Sequence, residues 1–322
     1  MRHKLSPLFH FEIFIHKMDK KQMATELGKE QNDFYWLTLQ NRVNELKISE
    51  AFRFMESGGF RPILIKGRSI AGYYPEIWER RFIDIDLCVA PDDFEKAKKL
   101  LETPEGLKHN IDLHKGLRHL DTVAWENLFD NSETFEIENT KIRTLRAEDH
   151  LRVLCVHWLA DGGAYKDRLR DIYYLVKNRP ANFDWDACLN IVSAKRRKWI
   201  VCCIGLAHKY LGLDLDDTPI AAEAKNIPEW LIKTIEKEWR TEVKLKPLQN
   251  CLHDRRLFWR QIKKRIPPNP IQATIELEGD FNDNPRAFYQ IASIFTRFFP
   301  AVRRISWRLS QNFRADNADN EK

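Results

Sequence analysis

An α+β fold is predicted from three observations. Residues 58–146 break into short apolar runs punctuated by Gly, Pro and Asn, the pattern of strands and turns. From Ala147 onward apolar residues recur at threes and fours over longer windows, the pattern of helices. One short run, Ile83-Asp84-Ile85-Asp86-Leu87, alternates apolar and acidic residues. As a strand it puts both carboxylates on one face, with Ile83, Ile85 and Leu87 on the other, toward a core. The chain of 322 residues is long enough for two domains, and 43% hydrophobic with 31% charged residues is an ordinary globular composition.

The elements follow in order. Residues 20–57 carry a helical repeat through Phe34, Leu37, Leu39, Val43, Leu46, Ile48, Phe52 and Phe54, and Ser57-Gly58-Gly59 stops it. Arg61–Ile65 reads as a strand led in by Pro62. Lys66-Gly67-Arg68-Ser69 turns it into a helix bearing Ile70, Tyr73 and Tyr74, ended by Pro75. The strand Phe82–Val89 follows Arg80 and Arg81. Pro91-Asp92-Asp93 caps a helix with Phe94, Ala97, Leu100 and Leu101 on one face. Lys108–Leu113 reads as the next strand, carrying Asp112 with His114 on the same side. A hairpin follows, Thr134–Glu138 and Lys141–Leu145, turning at Asn139-Thr140. Helices are expected over 147–161, 166–178, 184–193, 197–211, 229–240 and 252–264. Pro267-Pro268-Asn269-Pro270 reads as a linker, and a last helical segment runs from about Pro285 to Phe313, before a polar tail expected to be disordered. This divides the chain into an N-terminal helical segment (1–57), a core (58–146), a helical domain (147–266) and a linker with a C-terminal helix (267–322).

The acids carry the chemistry. Two like charges side by side are costly without something positive between them. A hard divalent cation such as magnesium accepts carboxylate oxygens and keeps positions open for phosphate. Asp84 and Asp86 on one strand with Asp112 on a neighbour could hold two such ions, which clamp the attacking and leaving oxygens of an in-line displacement at phosphorus. Asp112 is the candidate to face the acceptor hydroxyl and take its proton. Gly67 at a strand-to-helix turn lets an anion approach the backbone, and Lys66 and Arg68 add charge. Arg80 either neutralises Asp84 or touches a phosphate, and His114 is expected to support Asp112. His157 reads as a core histidine, and Asp171 with Arg168 and Arg170 as an ion-paired helix face, with lining of the cleft as the alternative.

This order of residues resembles the DNA polymerase beta-like nucleotidyltransferase superfamily, and within it a group of uncharacterised bacterial nucleotidyltransferases. The resemblance rests on Leu64-Ile65-Lys66-Gly67, Tyr74-Pro75, Arg80, Asp84-Ile85-Asp86-Leu87, Ile111-Asp112-Leu113-His114, Asp149–His157 and Arg168–Ile172, and covers roughly 40–175. It implies a small mixed β-sheet core with flanking helices. It also implies metal-dependent transfer of a nucleoside monophosphate from an NTP such as ATP to an acceptor. Asp84, Asp86 and Asp112 would hold Mg2+ or Mn2+, with Lys66, Gly67, Ser69 and Arg80 on the nucleotide side. The turn departs from the superfamily's Gly-Ser or Gly-Gly: Gly67 is followed by Arg68, with Ser69 one place later.

Charge limits the partners. Residues 241–322 hold 15 Lys+Arg against 9 Asp+Glu, and residues 1–240 hold 38 of each. A neutral front argues against a wide basic groove for nucleic acid, so a tailing polymerase is disfavoured. The aromatic and basic residues of 288–313 fit a membrane surface, a nucleic acid, or a helix packed on the body. The acceptor, whether small molecule, sugar or protein, is not named by the sequence. The competing reading is a catalytically silent module that binds a partner or regulates one. Six cysteines without a Cys-x-x-Cys pair, no apolar run of membrane length, and an N-terminal stretch broken by His10, Glu12 and His16 lead to the expectation of a reducing cytoplasm.

Overall fold

The computed structural model describes residues 29–115, 120–241 and 245–296. Expectations for residues before 29 and after 296 lie outside these described residues.

Five strands form one mixed sheet in the order β3-β2-β1-β5-β4. They are β1 (Ile63–Leu64), β2 (Ile85–Val89), β3 (Ile111–Lys115), β4 (Glu133–Ile137) and β5 (Thr140–Thr144). The β1/β2 and β4/β5 pairs are antiparallel, whereas β2/β3 and β1/β5 are parallel. The β4–β5 hairpin turns at Glu138 and Asn139, both with positive φ, one residue earlier than the sequence indicates. Two left-handed residues match the twist of a tight hairpin, and Asn tolerates that conformation.

The strand alternation of β2 sorts its side chains onto two faces. Ile85, Leu87 and Val89 join a core with Ile48, Ala51, Phe52 and Met55 of helix α1 (Lys29–Ser57). Cys88 joins a second core on the opposite face, with Ile63, Ile65, Leu128, Leu145 and Val153. Asp86, two residues earlier, therefore projects from the Cys88 side. The strand is shorter than the alternation suggests: Phe82, Ile83 and Asp84 precede the ladder, and Ile83 is 73% exposed instead of core-facing. In α1 the repeat also splits. Ile48, Phe52 and Met55 pack on the sheet, while Leu39, Val43 and Leu46 face outward. Among the described residues of α1, the fully buried apolar side chains on the sheet are Ile48, Ala51, Phe52 and Met55.

A single turn of helix, α2 (Arg68–Ala71), follows β1, and Tyr73 and Tyr74 lie beyond its end. Helix α3 (Phe94–Leu101) crosses from β2 to the parallel β3, and α4 (Trp125–Asp130) precedes the hairpin. The helical half is α5 (Ala147–Ala160), α6 (Leu169–Lys177), α7 (Trp185–Leu189), α8 (Ala194–Leu211), α9 (Ala221–Ala224), α10 (Glu229–Arg240), α11 (Arg255–Arg265) and α12 (Pro270–Glu276). Helix α7 stops short of the expected 193, because Ser193 caps α8 by accepting from the Arg196 N–H. Gly205 of α8 lies against α9 so closely that a Cβ there would overlap the Ala224 carbonyl.

The proline-rich stretch is a packed turn. The Asn269 side-chain oxygen caps α12 by accepting from Ile271 N at 2.8 Å, and its amide donates to Gly162 O at 3.2 Å. Beyond it, Ile271, Ile275 and Phe281 are buried in the core built by α5, α6 and α8. Residues 287–296 are helical. All six cysteines are buried free thiols. Among the described residues no helix is long and apolar enough to cross a membrane.

Candidate functional site

Parallel pairing of β2 with β3 aligns Asp86 with Asp112 and Cys88 with His114. Adjacent strands lie about 4.8 Å apart, so carboxylates in register on one face come within reach of a single ion. Asp86, Asp112 and His114 each offer a ligand atom, all within 4.8 Å of one another. Asp86 is half-buried and Asp112 is exposed. Asp84 lies outside that group, on the extended segment before β2, and lines the same cleft.

Asp86 is already engaged. Its Oδ1 accepts from Lys66 Nζ at 2.7 Å and lies 2.9 Å from His114 Nε2. Burial pushes its carboxyl up, but the His114 hydrogen bond and the Lys66 ammonium outweigh burial and hold it below the ordinary carboxylate value. His114 Nε2 also lies 3.5 Å from Asp112 Oδ2. His114 thus bridges both acids, where the sequence tied it to Asp112 alone.

The Lys66-Gly67 turn is conformationally unusual. Lys66 has φ 61°, and Gly67 has φ 52° with ψ −120°, a region closed to residues with a Cβ. An alanine Cβ at Gly67 would meet only ordinary contacts with Phe82, so backbone conformation is what calls for glycine. The consequence is that Lys66 leaves β1 aimed at Asp86 instead of following the helix. Arg68 goes the other way: its Nε donates to Glu45 at 2.5 Å and its guanidinium lies over Phe135, which removes it from the anion-binding role the sequence gave it. Ser69 is buried, its hydroxyl donating to Leu64 O at 3.3 Å, and it is not among the cleft-lining residues.

A cleft of about 880 Å³ opens above the acids. Lys66, Gly67, Asp84, Asp86 and Asp112 line its sheet side, and Leu154, His157, Trp158 and Asp161 its α5 side. Arg168 and Arg170, first read as an ion-paired helix face, add a wall together with Tyr165, which sequence reasoning did not assign to the site. The signal available for it was the Gly162-Gly163 break after α5, both glycines with positive φ, which lets the chain turn back over the sheet. His157 is in the cleft, not the core. Burial, and then the nearby Lys66 ammonium, lower its pKa below the ordinary imidazole value.

Arg80 pairs with Asp171 and not with Asp84. Its Nε and one terminal nitrogen donate to Asp171 at 2.6 and 2.9 Å, and the other terminal nitrogen donates to Arg81 O. Tyr74 donates to the same Asp171 oxygen at 2.6 Å. Asp171 is buried, so this network ties the loop before β2 to α6. Burial works against the Arg80 charge, but Asp171 more than offsets it and raises the pKa further. Arg168 pairs with Asp161 and Arg170 with Glu79, both within the cleft wall.

No curated protein and no solved structure matches the chain. The model of a protein family described as an uncharacterised nucleotidyltransferase matches residues 1–106, a span that takes in Lys66, Gly67, Asp84 and Asp86 and ends before Asp112.

Proposed function

We propose that the chain is a metal-dependent nucleotidyltransferase that moves a nucleoside monophosphate from an NTP to an acceptor hydroxyl. One observation carries the reading: Asp86 and Asp112 stand side by side on parallel strands at the floor of an open cleft. The family match over residues 1–106 supports it from the sequence side.

The donor set suits a divalent ion. Two carboxylates with an imidazole in reach fit Mg2+ or Mn2+ through oxygen, and His114 adds a nitrogen that Mn2+ accepts more readily. Asp86 and Asp112 would hold the ion, with Asp84 available from the same cleft for a second. A bound ion would polarise phosphoryl oxygens and neutralise developing charge. In the reaction the acceptor oxygen forms a bond to the α-phosphorus, the bond to the bridging oxygen breaks, and pyrophosphate leaves. Asp112, the more exposed acid, takes the acceptor's proton. Lys66 and Arg170 face the phosphates, and Tyr74, Asp171 and Arg80 hold the cleft wall in place.

A silent module is the second reading, and the engaged state of Asp86 favours it: the Lys66 ammonium already pairs with that carboxylate, and His114 Nε2 lies within hydrogen-bond distance of it. Calorimetry with Mn2+ and each nucleoside triphosphate separates the two, followed by release of labelled pyrophosphate with candidate acceptors. The native chain is expected to bind metal and nucleotide together, and Asp86→Asn to lose metal binding. Equal binding by both proteins rules out the metal site. Binding without pyrophosphate release from any acceptor supports the silent module.

A further inference from the structure

Helix α11 carries six cations in eleven residues and no acid. Two of the six are committed to structure. Lys264 Nζ pairs with Glu238 of α10 at 2.5 Å, and Arg265 donates to Gln261 Oε1 at 2.8 Å. The other four, Arg255, Arg256, Arg260 and Lys263, are exposed and make no ion pair among the described residues. They surround Trp259, which is 58% exposed, and with it line a shallow groove of about 310 Å³. Arg255, Arg256 and Lys263 stand three or four positions from the Trp, and Arg260 stands four from Arg256, so all lie along one side of the helix. An ordinary solvated helix looks different, and α10 shows how. There Lys233 pairs with Glu229 at 2.8 Å and Arg240 with Glu236 at 3.6 Å, four positions apart in each case. In α11 the same spacing sets Arg256 against Arg260 and Arg260 against Lys264, like charges that weaken a helix instead of supporting it.

We propose that the outward side of α11 binds single-stranded nucleic acid. The three arginines and Lys263 take phosphates, and a base stacks on Trp259. Cations interleaved with an exposed ring suit a single strand, because every base has a π-face and every nucleotide a charge. Arg256 and Arg260 are about 6 Å apart along the helix axis, so a strand can follow the helix from cation to cation. A bilayer fits worse: Trp259 is the one apolar residue of the groove, whereas an interfacial helix buries a whole apolar face. An acidic peptide would satisfy the cations and leave the ring without a partner. The neutral balance of residues 1–240 argues against a wide basic groove, and α11 offers instead a short rail on one helix. None of its residues lines the cleft above the acids, so this binding does not depend on the transfer reaction.

The test is fluorescence anisotropy of a labelled oligouridylate with the full chain, over a range of salt. The native protein is expected to bind, with an affinity that falls as salt rises. Arg255→Gln/Arg256→Gln/Arg260→Gln should weaken binding about tenfold or more. It should also flatten the salt slope by about two, since each phosphate contact on a single strand contributes about 0.7. Trp259→Ala should lose about tenfold with the slope unchanged, because stacking carries no charge. The same RNA annealed to its complement should bind more weakly, its bases no longer free to stack. Lys233→Gln/Arg240→Gln on α10 removes two cations that are already paired, and should leave affinity within about twofold. Circular dichroism and melting of the variants should match the native protein, because every changed side chain is exposed. The proposal is overturned if the native chain does not bind at low salt. It is equally overturned if the arginine variant or Trp259→Ala binds as tightly as native. Tight binding of polyglutamate would then give this face to an acidic polypeptide, and pelleting with phosphatidylglycerol vesicles would give it to lipid.

Discussion

At the scale of single residues, Asp86 concentrates the consequences. It sits at the end of the Lys66 side chain, against His114, and in register with Asp112. Under the proposed function, Asp86→Asn should cut transfer by two orders of magnitude or more, on the basis that a metal supplies several kcal/mol to the transition state. His114→Ala is expected to weaken Mn2+ affinity by about 10–100-fold, the usual cost of losing a group that orients metal ligands. Titration of each variant with Mn2+ checks both, and unchanged affinity in His114→Ala would remove His114 from the site. The same acids were legible in the sequence, because a period of two fixes the face a carboxylate takes. The ammonium that pairs with Asp86 was not. Lys66 reaches it only through two consecutive positive-φ residues, and no residue pattern announces a left-handed lysine.

His150 gives a second prediction at this scale. It is wholly buried, neither ring nitrogen makes a well-formed hydrogen bond among the described residues, and burial pushes its pKa down to about 3. The Leu145 backbone opposes that shift without reversing it. The unfolded chain takes up a proton near pH 6.5, but the folded chain does so only near pH 3, so folding is penalised as pH falls through that window. By pH 5 the penalty should reach about 2 kcal/mol relative to pH 7. Urea midpoints for native and His150→Leu should therefore diverge on acidification, the native losing more. Parallel curves would mean that His150 is not held neutral.

Elements are held by buried polar contacts that cross between them. Asp171 of α6 anchors both Tyr74 and Arg80 of the loop before β2, so one carboxylate fixes the cleft wall. Asp171→Ala leaves a guanidinium desolvated and unpaired, and should destabilise the chain by about 3 kcal/mol. Replacing both partners, Arg80→Met with Asp171→Leu, should recover most of that loss in the same denaturant experiment. If the double variant is no better than the single one, the pair does not act as a unit. Gly205→Ala is expected to cost about 1–3 kcal/mol, because α8 or α9 must move apart to admit a methyl group. Thermal melting reads this directly. The elements themselves were largely readable from periodicity: α10 falls on the expected span, while α7 ends early where a cap intervenes and β2 begins late, after an exposed segment. Burial of Asp171 was not readable, since its partner stands 91 positions away.

At the scale of the molecule, the sheet core and the helical core meet at the cleft, with α5 contributing to both. Val153 packs against the sheet side, and Leu151 and Cys155 belong to the helical core. The proline-rich stretch looked like a boundary because Pro and Asn punctuate chains. It is instead a corner, and the chain beyond it returns Ile271, Ile275 and Phe281 to the helical core. A chain ended after residue 266 should therefore lose cooperative unfolding, as seen by calorimetry. A sharp transition at the native temperature in that shorter chain would show that the segment is dispensable. The outward cations of α11 were half legible. The sequence shows the basic residues, but which of them a helix turns outward depends on what it packs against.

The pairing of β2 with β3 has a consequence for change over generations. The span between Asp86 and Asp112 is set by the distance between neighbouring strands, about 4.8 Å, and by no loop. The α3 crossover can gain or lose residues at its ends while the two carboxylates stay where they are. Only a slip of the ladder itself would part them, and a slip of one residue would send Asp112 to the apolar face, where it could not be accommodated. The spacing of the two acids is thereby insulated from insertions and deletions in this connection.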